Sequence, residues 1–399
     1  RPIAVGRERG VATAFSYEAK ALGITRGMSG ADIVRHFPQV LLVSSDYRKY
    51  GLFSARMHRI VARYTNQVEQ TSIDECFADM TEVVAHWGEA EALAQALQDE
   101  LCCKLGLTVS VGIGPNKTIA KIASGMDKPR GISCLSPDML CTKLYPLEID
   151  TTSGIGPRSI PKFHAWGVRS IGDFVDCNPV WVQEHFSKPY WQLHRELGGE
   201  HLHKLVTQGE APKSISKIRA FAPATACPDT LYSELVRNAE IAAAKLERHQ
   251  FQAKRVVFRL KERSGGRSKQ EVTPEYPICS AQDITSALGT VFASLVEEGV
   301  EYRATSVELQ LLSPIHAQES LFSERESQRT DHQDIGEVQA ALNHRFGTST
   351  LTAASSLISR ARLRAVDITS RSADSQEGTP LITHVETGRA LYLPSLGQI

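Results

Sequence analysis

The stretch Thr71-Ser-Ile-Asp-Glu-Cys-Phe-Ala-Asp79 decides how this chain is read. Its adjacent acids, Asp74 and Glu75, stand at a break between two short β-prone runs, Val68 to Ile73 and Cys76 to Met80. Side chains alternate faces along a regular strand, so neighbouring acids that serve one metal site must sit at a strand end or tight turn. Paired carboxylate oxygens there suit Mg²⁺ that handles phosphates. A solvated turn carries the same dipeptide, because acids are mostly exposed. The flanking apolar residues and the next motif weigh against that reading.

Downstream runs Leu107-Thr-Val-Ser-Val-Gly-Ile-Gly-Pro-Asn-Lys-Thr-Ile-Ala-Lys-Ile-Ala-Ser-Gly-Met-Asp-Lys-Pro-Arg-Gly131: a β-branched strand, a Gly-rich turn, then a helix. Lys117 and Lys121 are four apart and share one helix face. Lys128 lies just beyond the helix, which Pro129 stops. Three cations near one phosphate-sized site are expected, although a solvated basic face gives the same spacing.

On these motifs the chain resembles the Y-family DNA polymerases, which copy damaged templates, and in particular their bacterial branches, DNA polymerase IV and the polymerase V catalytic subunit. The resemblance implies that Asp74 and Glu75 are two of three catalytic carboxylates and that Lys128 contacts the incoming triphosphate. Ser16-Tyr-Glu-Ala-Lys-Ala-Leu-Gly-Ile-Thr-Arg26 resembles the fingers motif, in which Tyr17 and Lys20 would hold the triphosphate. Many relatives carry Arg where Lys20 stands; an ammonium meets phosphate as a point charge and not as a bidentate fork. Arg26 resembles an arginine lying over the nascent base pair. The family opens with a strand bearing an Asp, soon followed by an aromatic pair of which one excludes ribonucleotides. Neither is present: the chain begins Arg1-Pro-Ile-Ala-Val5, without Met, and reads as an N-terminally truncated fragment. Glu8 and Glu18 fall in an expected loop and in the fingers helix and do not substitute.

Further along, Ser153-Gly-Ile-Gly-Pro-Arg-Ser-Ile-Pro-Lys-Phe-His-Ala-Trp-Gly-Val168 resembles a helix-hairpin-helix turn followed by a helix ending near Gly167. Gly154 and Gly156 would let backbone N–H groups approach a DNA phosphate, with Arg158 and Lys162 adding charge. A plain helix corner uses glycines in the same way. Thr207 to Ser216 reads as a linker. Residues 217–312 show a helix with apolar spacing (Leu231, Leu235, Ile241, Ala244, Leu246), a basic strand from Lys254 to Lys261, a helix near Ile284 to Glu298 and a strand from Ala304 to Leu312. Two strand-helix passages suggest a sheet with helices on one face, the pattern of the family's little finger. In Arg255-Val-Val-Phe-Arg259-Leu-Lys261 the basic residues fall on one face of the strand. Together with Lys254, and with Lys117 and Lys121, they are expected to contact DNA phosphates without reading sequence; an amphipathic edge strand is the alternative.

After the last strand, Gln318-Glu-Ser-Leu-Phe322 resembles the peptide that binds the bacterial sliding clamp, with Gln318, Leu321 and Phe322 entering the clamp's cleft. The remainder holds a helix-like segment, Ile335 to Phe346, and Ala341-Leu-Asn-His-Arg-Phe-Gly347 is similar to the C-terminal extension of polymerase V catalytic subunits. The expected class is therefore a multidomain α+β fold, a right-hand polymerase with fingers (1–46), palm (47–140), helical thumb (141–206), linker (207–216), α/β little finger (217–312) and a C-terminal tail (313–399).

Composition agrees. With 399 residues, 42% of them hydrophobic, the chain can bury several cores. Net charge is zero, which argues against wholesale coating of nucleic acid. Locally the balance differs: residues 245–269 hold nine Lys or Arg against two acids, an excess of seven. The eight cysteines show no metal spacing, and no signal peptide or twenty-residue apolar run is seen, so a cytoplasmic, non-membrane enzyme with reduced thiols is expected.

The function these readings imply is template-directed DNA synthesis across lesions, in DNA repair or an SOS-type damage response, with two Mg²⁺ ions assisting attack of the primer 3′-OH on the α-phosphate of a deoxynucleoside triphosphate. No exonuclease motif is seen. Expected partners are primer-template DNA, deoxynucleoside triphosphates and the sliding clamp, for a monomer that works with or without accessory mutagenesis proteins. The alternative is a catalytically inactive, clamp-bound adaptor, against which the retained Asp74-Glu75 pair argues. A plain DNA-binding protein would leave the fingers and palm motifs unexplained.

Overall fold

Short apolar runs punctuated by polar caps set the element order of the computed structural model, which describes residues 1–207, 211–315, 338, 342, 345, 346 and 350–357. Near the start, β1 (Ile3–Val5) pairs antiparallel with β2 (Ala14–Phe15) and parallel with β3 (Leu41–Val43). A parallel pair needs a crossover. Here it carries α1 (Tyr17–Ala21), capped by Ser16 Oγ accepting from the Ala19 amide, and α2 (Gly30–His36). Ala4, Ala19, Ile24, Ile33 and Val40 close this small core.

The next core lies between α3 (Tyr47–Val61) and α4 (Trp87–Leu105), where Met57, Ile60 and Val61 meet Leu97 and Leu101 at helical spacing. Between these helices sits the hairpin of β4 (Val68–Gln70) and β5 (Cys76–Ala78), with Glu69 opposite Phe77. Both strands are shorter than the sequence suggests, so residues 71–75 form the turn. β6 (Val111–Ile113), α5 (Lys117–Met126) and β7 (Ile132–Cys134) follow as a parallel βαβ unit. A Cβ on Gly112 would stand 2.0 Å from the Ala120 carbonyl oxygen, so strand and helix approach this closely only with glycine there.

Four short helices complete the first unit: α6 (Ile160–Ala165), α7 (Ile171–Val175), α8 (Pro179–His185) and α9 (Lys188–Leu197). Their core (Phe163, Phe174, Val182, Leu197) is continuous with Ile119, Ile122 and Ala123 of α5. The apolar packing thus crosses position 140, where the sequence reading divides palm from thumb.

The described residues divide into two compact units, one covering 1–207 and the other beginning at 211. The second unit begins with β8 (Ser214–Thr225) and α10 (Pro228–Arg248), continues through β9 (Phe251–Glu262), β10 (Arg267–Val272) and α11 (Ala281–Leu295), and reaches β11 (Tyr302–Pro314). The sheet order is β10-β9-β11-β8, antiparallel throughout. Leu231, Leu235, Ala239 and Leu288 of the two helices pack on Val256, Phe258 and Leu260 of one face. The sequence reading expects two of these strands and misses two. β10 is polar at all but its last residue. β8, which starts inside the segment read as linker, points Arg219 toward the helices, where it meets the buried Glu234 of α10 at 3.2 Å. Beyond β11, Ala353 donates its amide to Glu240 of α10 at 2.7 Å and Ser356 is buried. Among the described residues no helix is long and apolar enough to cross a membrane.

Candidate active site

Asp74 and Glu75 are exposed on the turn of the β4–β5 hairpin. The turn is tied by backbone bonds from Thr71 and Ser72 to the Glu75 carbonyl, both 3.2 Å, and by Ser72, whose hydroxyl donates to Asp74 Oδ1 at 2.7 Å. Both carboxylates stay free of the strand alternation that would point them apart. Lys121 of α5 forms an ion pair with Glu75. Among the described residues no group of three or more His, Cys, Asp or Glu is placed to hold a metal ion. Two oxygen-rich side chains fit a hard divalent cation that takes its remaining ligands from water and substrate phosphates.

One turn before Lys121, Lys117 is only 17% exposed; its ammonium lies 2.8 Å from Glu69 and donates to the Lys204 carbonyl at 3.1 Å. Burial works against the Glu69 charge, but the hydrogen bonds from Lys117 and the Val206 amide and the Lys117 charge hold its carboxyl below the usual range. Lys117, expected to touch DNA, is thus engaged inside the protein.

Asn116 caps α5 through Oδ1, which accepts from Ile119 at 2.9 Å, while its amide nitrogen donates to the carbonyls of Glu196 (2.7 Å) and Glu200 (2.8 Å). Glu196 is 1% exposed; it accepts from Thr118 and from the His203 amide at 3.0 Å, and His203 Nδ1 is 2.8 Å away. These bonds outweigh burial and keep its carboxyl low. Glu69, Asn116, Glu196 and His203 are absent from the sequence reading. Only Asn116 left a signal there, as a capping residue before an apolar-periodic run.

The remaining expected residues lie on separate elements. Tyr17, 50% exposed, and Lys20 are three apart on α1, and Arg26 is exposed in the loop beyond it. Lys128 is exposed after α5. Gly154 has φ 102°, a Cβ on it or on Gly156 would meet nothing within 4 Å, and among the described residues neither amide donates a hydrogen bond. Arg158 and Lys162 are exposed beside them, Lys162 lying over the Trp166 ring at 5.6 Å. A cavity of about 530 Å³ opens between Phe77, Lys121, Gly154, Tyr190 and His203.

On β9, Arg255, Val257, Arg259 and Lys261 share the sheet face away from the helices, joined in register by Arg267 and Lys269 of β10. Two acids temper that face: Glu271, 3.9 Å from Arg255 and paired with Lys269, and Glu308, paired with Arg259. Lys254 alternates onto the opposite face with Val256, so it does not join the other three. Gln318, Leu321 and Phe322 lie outside the described residues.

The first unit is thus a mixed fold in which a carboxylate pair on a hairpin turn faces a lysine-bearing helix. Residues 1–125 match the impB/mucB/samB family and residues 212–321 match that family's C-terminal domain. DNA polymerase IV of Lactococcus lactis subsp. cremoris is 31% identical over 301 residues, which cover 74% of this chain and 82% of the relative. DNA polymerase IV of Streptococcus pyogenes is 29% identical over 314 residues, 77% of this chain and 86% of the relative. Among solved structures, a Y-family DNA polymerase chimera superposes with a TM-score of 0.69 at 21% identity, over 79% of this chain and 92% of that one. The post-insertion binary complex of Dbh DNA polymerase gives 0.53 at 20% identity over the same shares. The chain belongs to the bacterial Y-family DNA polymerases, enzymes of DNA-directed DNA synthesis.

Proposed function

We propose that this polymerase extends primers across damaged template bases in a DNA-damage response, with Asp74 and Glu75 as metal-binding carboxylates. The observation that carries the reading is their shared exposure on the hairpin turn, opposite Lys121. The carboxylates would hold Mg²⁺ ions, whose contribution is activation of the primer 3′-hydroxyl and neutralisation of triphosphate charge. Tyr17, Lys20 and Arg26 bind and orient the triphosphate and the nascent pair, and Lys128 adds a cation at the phosphates. The cavity beside Lys121 has room for the primer terminus. Amides at Gly154 and Gly156, with Arg158 and Lys162, receive backbone phosphates. Arg255, Arg259 and Lys261 hold the duplex backbone, and Gln318, Leu321 and Phe322 recruit the sliding clamp. Running-start primer extension on an abasic template tests the reading. Asp74→Ala and Glu75→Ala should each abolish nucleotide addition while leaving primer-template affinity within about twofold, as expected for groups that act on charge in the transition state. Extension retained by both variants refutes it.

A further inference from the structure

We infer that Lys117 is a positioning residue: it fastens the hairpin carrying Asp74 and Glu75 to the segment by which the chain leaves its first unit. The catalytic part of this inference rests on the proposed function; the fastening itself does not. The Lys117 ammonium bonds Glu69 of β4 at 2.8 Å and lies 5.8 Å above the ring of Phe77 of β5. Glu69 and Phe77 are cross-strand partners, so one side chain grips both strands of the hairpin. The same ammonium donates to the Lys204 carbonyl at 3.1 Å, and the same Glu69 oxygen accepts from the Val206 amide at 2.8 Å.

An ammonium has three donors. Two are committed to Glu69 and Lys204 and the Phe77 ring lies 5.8 Å away, which leaves at most one donor, on a side chain only 17% exposed, so its main engagement is with the protein and not with a DNA phosphate. Neighbouring residues of the first turn of α5 secure the same segment: Asn116 through the Glu196 and Glu200 carbonyls, and Thr118 through Glu196, which in turn holds His203. The start of α5 therefore fixes two things at once, the base of the carboxylate turn and the path of residues 196–206.

The test uses the full-length protein with Lys117→Met, Glu69→Gln, both together, and Lys117→Arg as the conservative change. Three readouts are needed: single-nucleotide insertion kinetics, salt dependence of primer-template binding, and hydrogen exchange at the Val206 amide. Lys117→Met should lower kcat roughly 10- to 100-fold, the cost of an ångström-scale misplacement, with KM for the triphosphate nearly unchanged. Exchange at Val206 should accelerate, and the salt slope should stay at the parent value. Glu69→Gln should reproduce this pattern, the double variant should be no worse than the weaker single, and Lys117→Arg should regain part of kcat. A salt slope reduced by about 0.9, the loss of one phosphate contact, overturns the inference. So does parental exchange at Val206. If Lys117→Met fails to fold, Glu69→Gln decides alone on the same readouts. If the parent extends no primer, the proposed function falls, and exchange and salt slope still decide whether Lys117 holds the segment.

Discussion

Glu69 keeps its charge at a side chain only 15% exposed because two donors, one of them the Lys117 cation, converge on it. A carboxyl whose folded pKa lies below its unfolded value stabilises fully above the unfolded value and loses that contribution as pH falls through the lower, folded one. Protection of the Val206 amide, corrected for intrinsic exchange, should therefore persist from neutral pH down to about the ordinary Glu value of 4.5 and fail only below it. Glu196 should follow the same direction, since Thr118 and His203 hold its carboxyl low against the opposing effect of burial. Loss of Val206 protection near pH 6 would assign control to a histidine instead. At this scale the turn position of Asp74 and Glu75 was legible from sequence, as a break between two β-prone runs, while their role came from the family resemblance and not from the dipeptide. Glu69 was not: an acid inside a strand looks like a solvated residue until the helix opposite is known to bring a lysine to it.

α5 was the most legible element: the Gly-rich turn before it and Pro129 after it marked a helix, which runs Lys117–Met126 with Ile119, Ile122 and Ala123 buried. Asn116→Ala removes a cap and strands two carbonyls, which together should cost about 2–4 kcal/mol in urea unfolding. Asn116→Ser keeps a cap acceptor and loses only the two donations, so its loss should be smaller; equal losses would deny the cap a role. β8 and β10 were not legible. Their polar residues satisfy cross-strand and helix partners far away in sequence, such as Arg219 with Glu234, and no local pattern announces that. The helix over Leu231 to Leu246 and the basic strand β9 were read correctly because one face of each meets the core.

Across the molecule, charge is neutral in sum and sorted by surface. The open face of the second unit sets Arg255, Arg259, Lys261, Arg267 and Lys269 against Glu271 and Glu308. Replacing Arg255, Arg259 and Lys261 with Ala should flatten the salt dependence of primer-template binding by up to about three units, at roughly 0.9 per phosphate contact. An unchanged slope would mean that this face does not meet DNA. For recruitment, Leu321→Ala with Phe322→Ala should remove most of the clamp affinity, since two buried apolar side chains supply about 3–6 kcal/mol before ordering costs. Synthesis without clamp should survive in that variant, and clamp binding equal to the parent's would refute the peptide assignment.

The continuous packing from α5 into the four-helix region has a mechanical meaning. Ile119, Ile122 and Ala123 share one close-packed cluster with Phe163, Phe174 and Leu197, and such interiors transmit strain because they have little free volume to absorb it. There is no slack layer between the loop at Gly154 and Gly156 and the helix that bears Lys117 and Lys121. A load placed on that loop is carried through the stiff interior to the base of the carboxylate turn, as a rigid bracket carries a load applied at its rim.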